Sequence, residues 1–198
     1  MTEGDATPDA DPTGPGNPKG YPHKLKAMMS ETYSDQTIQI FNGGYGGERA
    51  DQALPHLRDM IRQTQPEVMI LFHGENDLIN HSPIPNIIGA VEALIKEARG
   101  RGVIVLLSTI PIQNPNGTKR LQTTHLVEPY NRELTKLGPD EGAIMVDVYP
   151  FVPIEMVAPD GLHLTKDGNQ RLAEVYFAKL KALYEIPAAP MLPLLSRR

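Results

Sequence analysis

The chain has 198 residues, 40% hydrophobic and 22% charged, which suits one ordinary globular domain and is short for two. Its formal charge of −5, without a basic run, excludes an electrostatic footprint for nucleic acid or anionic membranes. Cysteine is absent, which excludes disulfides, thiolate metal sites and a cysteine nucleophile. No apolar run approaches the roughly 20 residues of a membrane span.

Residues 1–19 are rich in Gly, Pro and Asp, with Pro8, Pro12, Pro15 and Pro18 scattered through them, and read as loop. A single domain is expected over 20–185, followed by a Pro-rich tail over 186–198. Within the domain, Leu25, Met28 and Met29 predict a short amphipathic helix from Tyr21 to Thr32. Ile38 to Phe41 is β-rich and stops at Gly43, Gly44, Gly46 and Gly47, which predicts a strand. A helix follows from about Arg49 to Thr64, with Ala53, Leu57, Met60 and Ile61 on one face.

The alternation then repeats. Val68 to Phe72 is a continuous apolar strand, and Ile87 to Ala98 a helix. Val103 to Leu107 is the next strand, Leu126 to Leu137 the next helix. Ala143 to Val148 is a fourth strand, and Thr165 to Tyr184 a closing helix. Apolar strands alternating with helices predict an α/β fold whose parallel sheet is covered on both faces.

Active sites of such sheets lie at the carboxyl ends of the strands. Three clusters occupy that rim or the entry to the last helix. The first is Asn42 to Glu48, where glycines let the backbone turn sharply and present amide N–H groups without Cβ obstruction. The second is His73-Gly74-Glu75-Asn76-Asp77, where Asn76 can aim an amide into a site. The third is Asp160-Gly161-Leu162-His163: a carboxylate three residues before an imidazole can hold one ring N–H and leave the other nitrogen as a base. Together they supply oxyanion donors and an oriented base, most of an acyl-transfer site.

In order and position these clusters resemble the SGNH (GDSL-type) serine esterases. The family carries Ser in a Gly-Asp-Ser block, then Asn-x-Gly-x-x-Gly, Gly-x-Asn-Asp and Asp-x-x-His. Here stand Asn42-x-Gly44-x-x-Gly47, Gly74-Glu75-Asn76-Asp77 and Asp160-x-x-His163. The resemblance implies a flavodoxin-like three-layer α/β/α sandwich of strand order 2-1-3-4-5 and a Ser-His-Asp ester hydrolase. It further implies Gly47 and Asn76 as oxyanion donors, His163 as general base and acid, and Asp160 as its orienting partner. A small-molecule ester is the implied substrate, and no metal or organic cofactor is implied.

The departure is the nucleophile. In the family, the Gly-Asp-Ser block continues with an aliphatic residue, Thr, often Glu, then Gly, which Met1-Thr2-Glu3-Gly4 matches. That alignment sets the serine immediately before Met1, and with it the first strand, internal in order 2-1-3-4-5. A rival alignment sets Ala6 at the nucleophile position. The first is preferred because it explains Thr2, Glu3 and Gly4. Either way the chain is expected to lack the serine, and a non-catalytic remnant or carbohydrate-binding derivative is the alternative reading. Oligomeric state and localisation are not legible in the sequence.

Other readings are weaker. The glycine cluster has neither Gly-x-Gly-x-x-Gly nor a Walker Lys for nucleotide binding. His73 with Glu75 lacks a third well-spaced metal ligand. His23, His56, His81 and His125 have no chemical context and are expected at the surface. Ser108 ends a strand on the active rim, but no nucleophile motif surrounds it. Asn116-Gly117-Thr118 fits a glycosylation acceptor, relevant only to a eukaryotic secreted protein. Asn80 to Pro85 and Ile112 to Thr124 are the candidate specificity loops, and the polar character of the second favours a short acyl group on a hydrophilic alcohol.

Overall fold

The structure, a computed structural model, describes residues 20–118 and 122–185. The expected N-terminal loop and Pro-rich tail lie outside the described residues.

Helix α1 spans Tyr21–Thr32, with a proline in its first turn, where a missing N–H costs nothing. It buries Tyr21, Leu25 and Met29. Helix α2 spans Ala53–Thr64, four residues shorter at its start than its periodicity predicts. The cause is tertiary: both carboxylate oxygens of Asp77 accept from Ala50 N–H, at 3.0 and 3.2 Å, and hold residues 49–52 in turns.

Strands β1 (Val68–Leu71), β2 (Ile104–Ser108) and β3 (Ile144–Val146) form a parallel sheet in the order β1-β2-β3. Val68 stands opposite Ile104, and Leu106 opposite both Ile70 and Ile144. Leu106 is fully buried, because β2 is covered on both faces and paired on both edges. Beyond β3, Thr109 Oγ1–H donates to Asp147 and accepts from Val148 N–H, so a side chain replaces the ladder and ends the strand early.

The expected strand at Ile38 to Phe41 is corrected by the structure: these residues are irregular. They line, together with Val68 and Ile70 of β1, a trough of about 730 Å³. A ladder needs strands about 4.8 Å apart, and the trough holds this segment off the sheet. Among the described residues, β1 therefore pairs on one edge only.

Helices α3 (Glu75–Ile79), α4 (Ile84–Gly100), α5 (Val127–Asp140) and α6 (Lys166–Tyr184) complete the chain. Helix α1 packs on α6, while α2, α4 and α5 pack in succession, giving the two outer layers of an α/β/α sandwich. Thr165 caps α6 by accepting from Gly168 N–H. Asn169 on α6 accepts from the buried N–H of Tyr21, and the Tyr21 ring lies 5.2 Å from that of Tyr176. No described helix is long and apolar enough to cross a membrane.

Candidate active site

The entry to α6 is built around one carboxylate. Asp160 Oδ1 accepts from the N–H groups of Leu162 and His163, each at 3.0 Å, which closes a tight turn. Gly161 makes the turn possible with φ +85°, a conformation that disfavours side chains. The other oxygen, Oδ2, stands 2.5 Å from His163 Nδ1. Facing a carboxylate, Nδ1 carries the proton, which leaves Nε2 as the basic nitrogen. Burial pushes the Asp160 carboxyl up, but the hydrogen bonds from the His163 ring and from the two N–H groups outweigh it. They hold the group below its ordinary value.

The two remaining clusters meet each other. Asn76, on α3 after β1, donates its side-chain N–H to the Glu48 carbonyl at 3.0 Å. Gly47, the residue before Glu48, is exposed at φ +82°, and its N–H has no hydrogen-bond partner among the described residues. Asn42 Oδ1 accepts from Gly44 N–H and tightens the start of the same turn. Glu75, the neighbour of Asn76, lines a cavity of about 20 Å³ together with His163, Leu162, Pro111 and Phe72. Asn76 and Gly47 thus lie on one hydrogen-bonded unit, and the chain next to Asn76 shares a cavity with His163.

An oriented imidazole, a half-buried amide and an available backbone N–H can supply a base and oxyanion donors, but no nucleophile stands among them. Over residues 1–171 the sequence matches the GDSL-like lipase/acylhydrolase family. The chain belongs to that family. Its GDSL-type fold is shared by solved structures of low sequence identity. An esterase from Pseudoalteromonas sp. is 19% identical, with 92% of this chain and 96% of that one covered and a TM-score of 0.72. A carbohydrate esterase family 3 protein from Talaromyces cellulolyticus is also 19% identical, at 82% and 89% coverage and a TM-score of 0.69. An acetyl-xylooligosaccharide esterase from Geobacillus is 14% identical, at 88% and 87% coverage and a TM-score of 0.73. No curated protein matches the sequence.

Around this candidate site several residues have structural duties that the sequence did not announce. Asp77 is the clearest. Burial pushes its carboxyl up, and the Ala50 N–H bond recovers only part of the shift. An Asp one residue after Asn76 was the available signal, but its target 27 residues away was not. Gly74, at φ +107°, admits Tyr130, whose O–H donates to the His73 carbonyl at 2.9 Å.

His73 is buried, with Nε2 3.9 Å from Glu48 Oε2. His56 also approaches Glu48, at 3.4 Å, and its ring meets Tyr45 edge-on, so it is half-buried where a surface residue was expected. His23, His81 and His125 are exposed. Ser108 is fully buried, donating to the Thr109 carbonyl and accepting from Tyr176 O–H. Its hydroxyl belongs to the core.

Proposed function

We propose that this protein is a carboxylic-ester hydrolase acting on short acyl esters of hydrophilic alcohols, with His163 and Asp160 as the base and its orienting carboxylate. The observation that carries the reading is the 2.5 Å contact between His163 Nδ1 and an Asp160 whose other oxygen is tied to two backbone N–H groups. Such a carboxylate fixes the ring tautomer and stabilises the imidazolium formed when Nε2 takes a proton. Gly47 N–H and the second N–H of the Asn76 amide would hold the oxyanion of the tetrahedral intermediate. His163 would then return its proton to the departing alcohol, and water would release the acyl group.

The acyl-length preference rests on size. The cavity beside His163 measures about 20 Å³, room for about one water, and offers no space for a long acyl chain. The solved structures of similar fold include an acetyl xylan esterase and an acetyl-xylooligosaccharide esterase, in keeping with a small acyl group on a sugar. Asn114, half-buried, and Asn116, exposed, in the 112–124 loop supply polar groups for such an alcohol.

The reading assigns the nucleophile to no serine of residues 1–198. Ser108, on the strand that reaches the rim, is committed to Tyr176. That favours a second reading, a non-catalytic or carbohydrate-binding derivative of the same fold. The two separate in one experiment: hydrolysis of p-nitrophenyl acetate by residues 1–198, and by the same chain with any coding sequence that precedes Met1. His163-dependent hydrolysis in either form supports the esterase. Its absence in both, with retained binding of an acetylated xylo-oligosaccharide, supports the derivative.

A further inference from the structure

One loop touches both halves of the site. Residues 113–117, after β2, meet α3 at one end and the Asp160–His163 turn at the other. Gln113, 3% exposed, donates its side-chain N–H to Glu75 Oε1 at 3.4 Å, next to Asn76. Asn114 N–H donates to the Gly161 carbonyl at 3.0 Å, inside the Asp160–His163 turn. The loop is itself braced, because Gly117 N–H donates to the Asn114 carbonyl and Asn116 N–H to Asn114 Oδ1.

The contact between loop and turn has no slack. A Cβ on Gly117 would stand 2.1 Å from Gly161 Cα and 2.5 Å from the Asp160 carbonyl carbon, both backbone atoms. Conversely, a Cβ on Gly161 would stand 2.6 Å from the Asn114 carbonyl oxygen and 2.8 Å from Gly117 Cα. Two glycines thus meet backbone to backbone, so neither side can yield by turning a side chain. Gly89, on α4, has open space where its Cβ would be.

We infer that the 113–117 loop is a strut that positions the Asp160–His163 turn against the Asn76 side of the site, with Gly117 as its critical positioning residue. This rests on the reading of His163 as the base and adds a part to it. Gly117 reaches no substrate in this role. It sets where Asp160 sits, and through Asp160 how the His163 ring is held. The same loop offers polar groups to an alcohol, so movement of the loop would reach the base through the contact with Gly161.

The test is a spectroscopic signature that a purely structural glycine would leave alone. An imidazole N–H held on a carboxylate and protected from exchange resonates far downfield in a proton spectrum. That signal is expected in the wild-type chain and absent from His163→Ala, which assigns it. In folded Gly117→Ala it is expected to be lost or displaced, and in Gly89→Ala unchanged.

A wild-type signal in folded Gly117→Ala would overturn the strut while leaving the Asp160–His163 pair intact. Absence of the signal from the wild type would instead contradict the pair, and the strut would fall with it. Should Gly117→Ala fail to fold, Asn114→Ala is read by the same criteria. That variant removes only the side-chain acceptor bracing Asn116 and keeps every backbone group.

Discussion

Asn76 donates its side-chain N–H to the Glu48 carbonyl at 3.0 Å, so the candidate oxyanion amide is tied to the turn bearing Gly47. Asn76→Asp replaces that donor with a carboxylate, which repels both the Glu48 carbonyl and a developing oxyanion. Losing one oxyanion donor costs about 10²–10³ in turnover, and the added repulsion should make Asp worse than Ala. Circular dichroism should show a folded protein. Near-normal turnover by folded Asn76→Asp enzyme would remove Asn76 from the site.

The Asp160 carboxyl sits below its ordinary value, so it titrates at lower pH in the folded chain than in the unfolded one. Such a group contributes stability that is fully present above the unfolded carboxylate value, about 3.9. The contribution is lost as pH falls through the lower folded value. Wild type should therefore keep its advantage in Tm over Asp160→Asn down to about pH 4 and lose it as pH falls further. A Tm difference that does not shrink below about pH 4 would contradict the assignment.

Asp77 has the opposite sign. Its carboxyl titrates above its ordinary value, mainly through burial, so its charged form opposes folding at neutral pH. Asp77→Asn, which keeps an acceptor for Ala50 N–H, should be neutral or slightly stabilising at pH 7. Asp77→Leu leaves that N–H without its acceptor and should cost about 1–3 kcal/mol. Denaturant melts of the two variants at pH 7 separate these outcomes; equal destabilisation by both would contradict the role given to Asp77.

Ser108→Ala tests whether the serine on the rim takes part in chemistry. Its hydroxyl accepts from Tyr176 O–H inside the core, and burial raises the Tyr176 phenol well above its ordinary value. The variant should lose about 1–3 kcal/mol of stability by leaving that phenol unpaired, with ester turnover unchanged. A loss of turnover in the folded variant would make Ser108 a candidate nucleophile.

What the sequence revealed depended on how local each feature is. The strands at Val68, Ile104 and Ile144 were legible because a doubly covered parallel strand is apolar at nearly every position. Ile38 to Phe41 is also β-rich, though interrupted by Gln39, yet lies off the sheet beside the trough, because pairing is a property of the neighbour as well as of the strand. Helix α1 matched its apolar spacing, whereas α2 began late because Asp77 captures Ala50. The Asp160–His163 turn was readable as a three-residue spacing. The backbone contact of Gly117 with Gly161 joins residues 44 apart, and no local pattern announces it.

The central claim is that His163, held by Asp160, is the base of an ester hydrolase. Its most direct test is the turnover of p-nitrophenyl acetate by wild type and His163→Ala, each assayed with any coding sequence that precedes Met1. The account predicts measurable hydrolysis by wild type and a loss of several orders of magnitude in kcat for folded His163→Ala. Equal hydrolysis by the two proteins would contradict it.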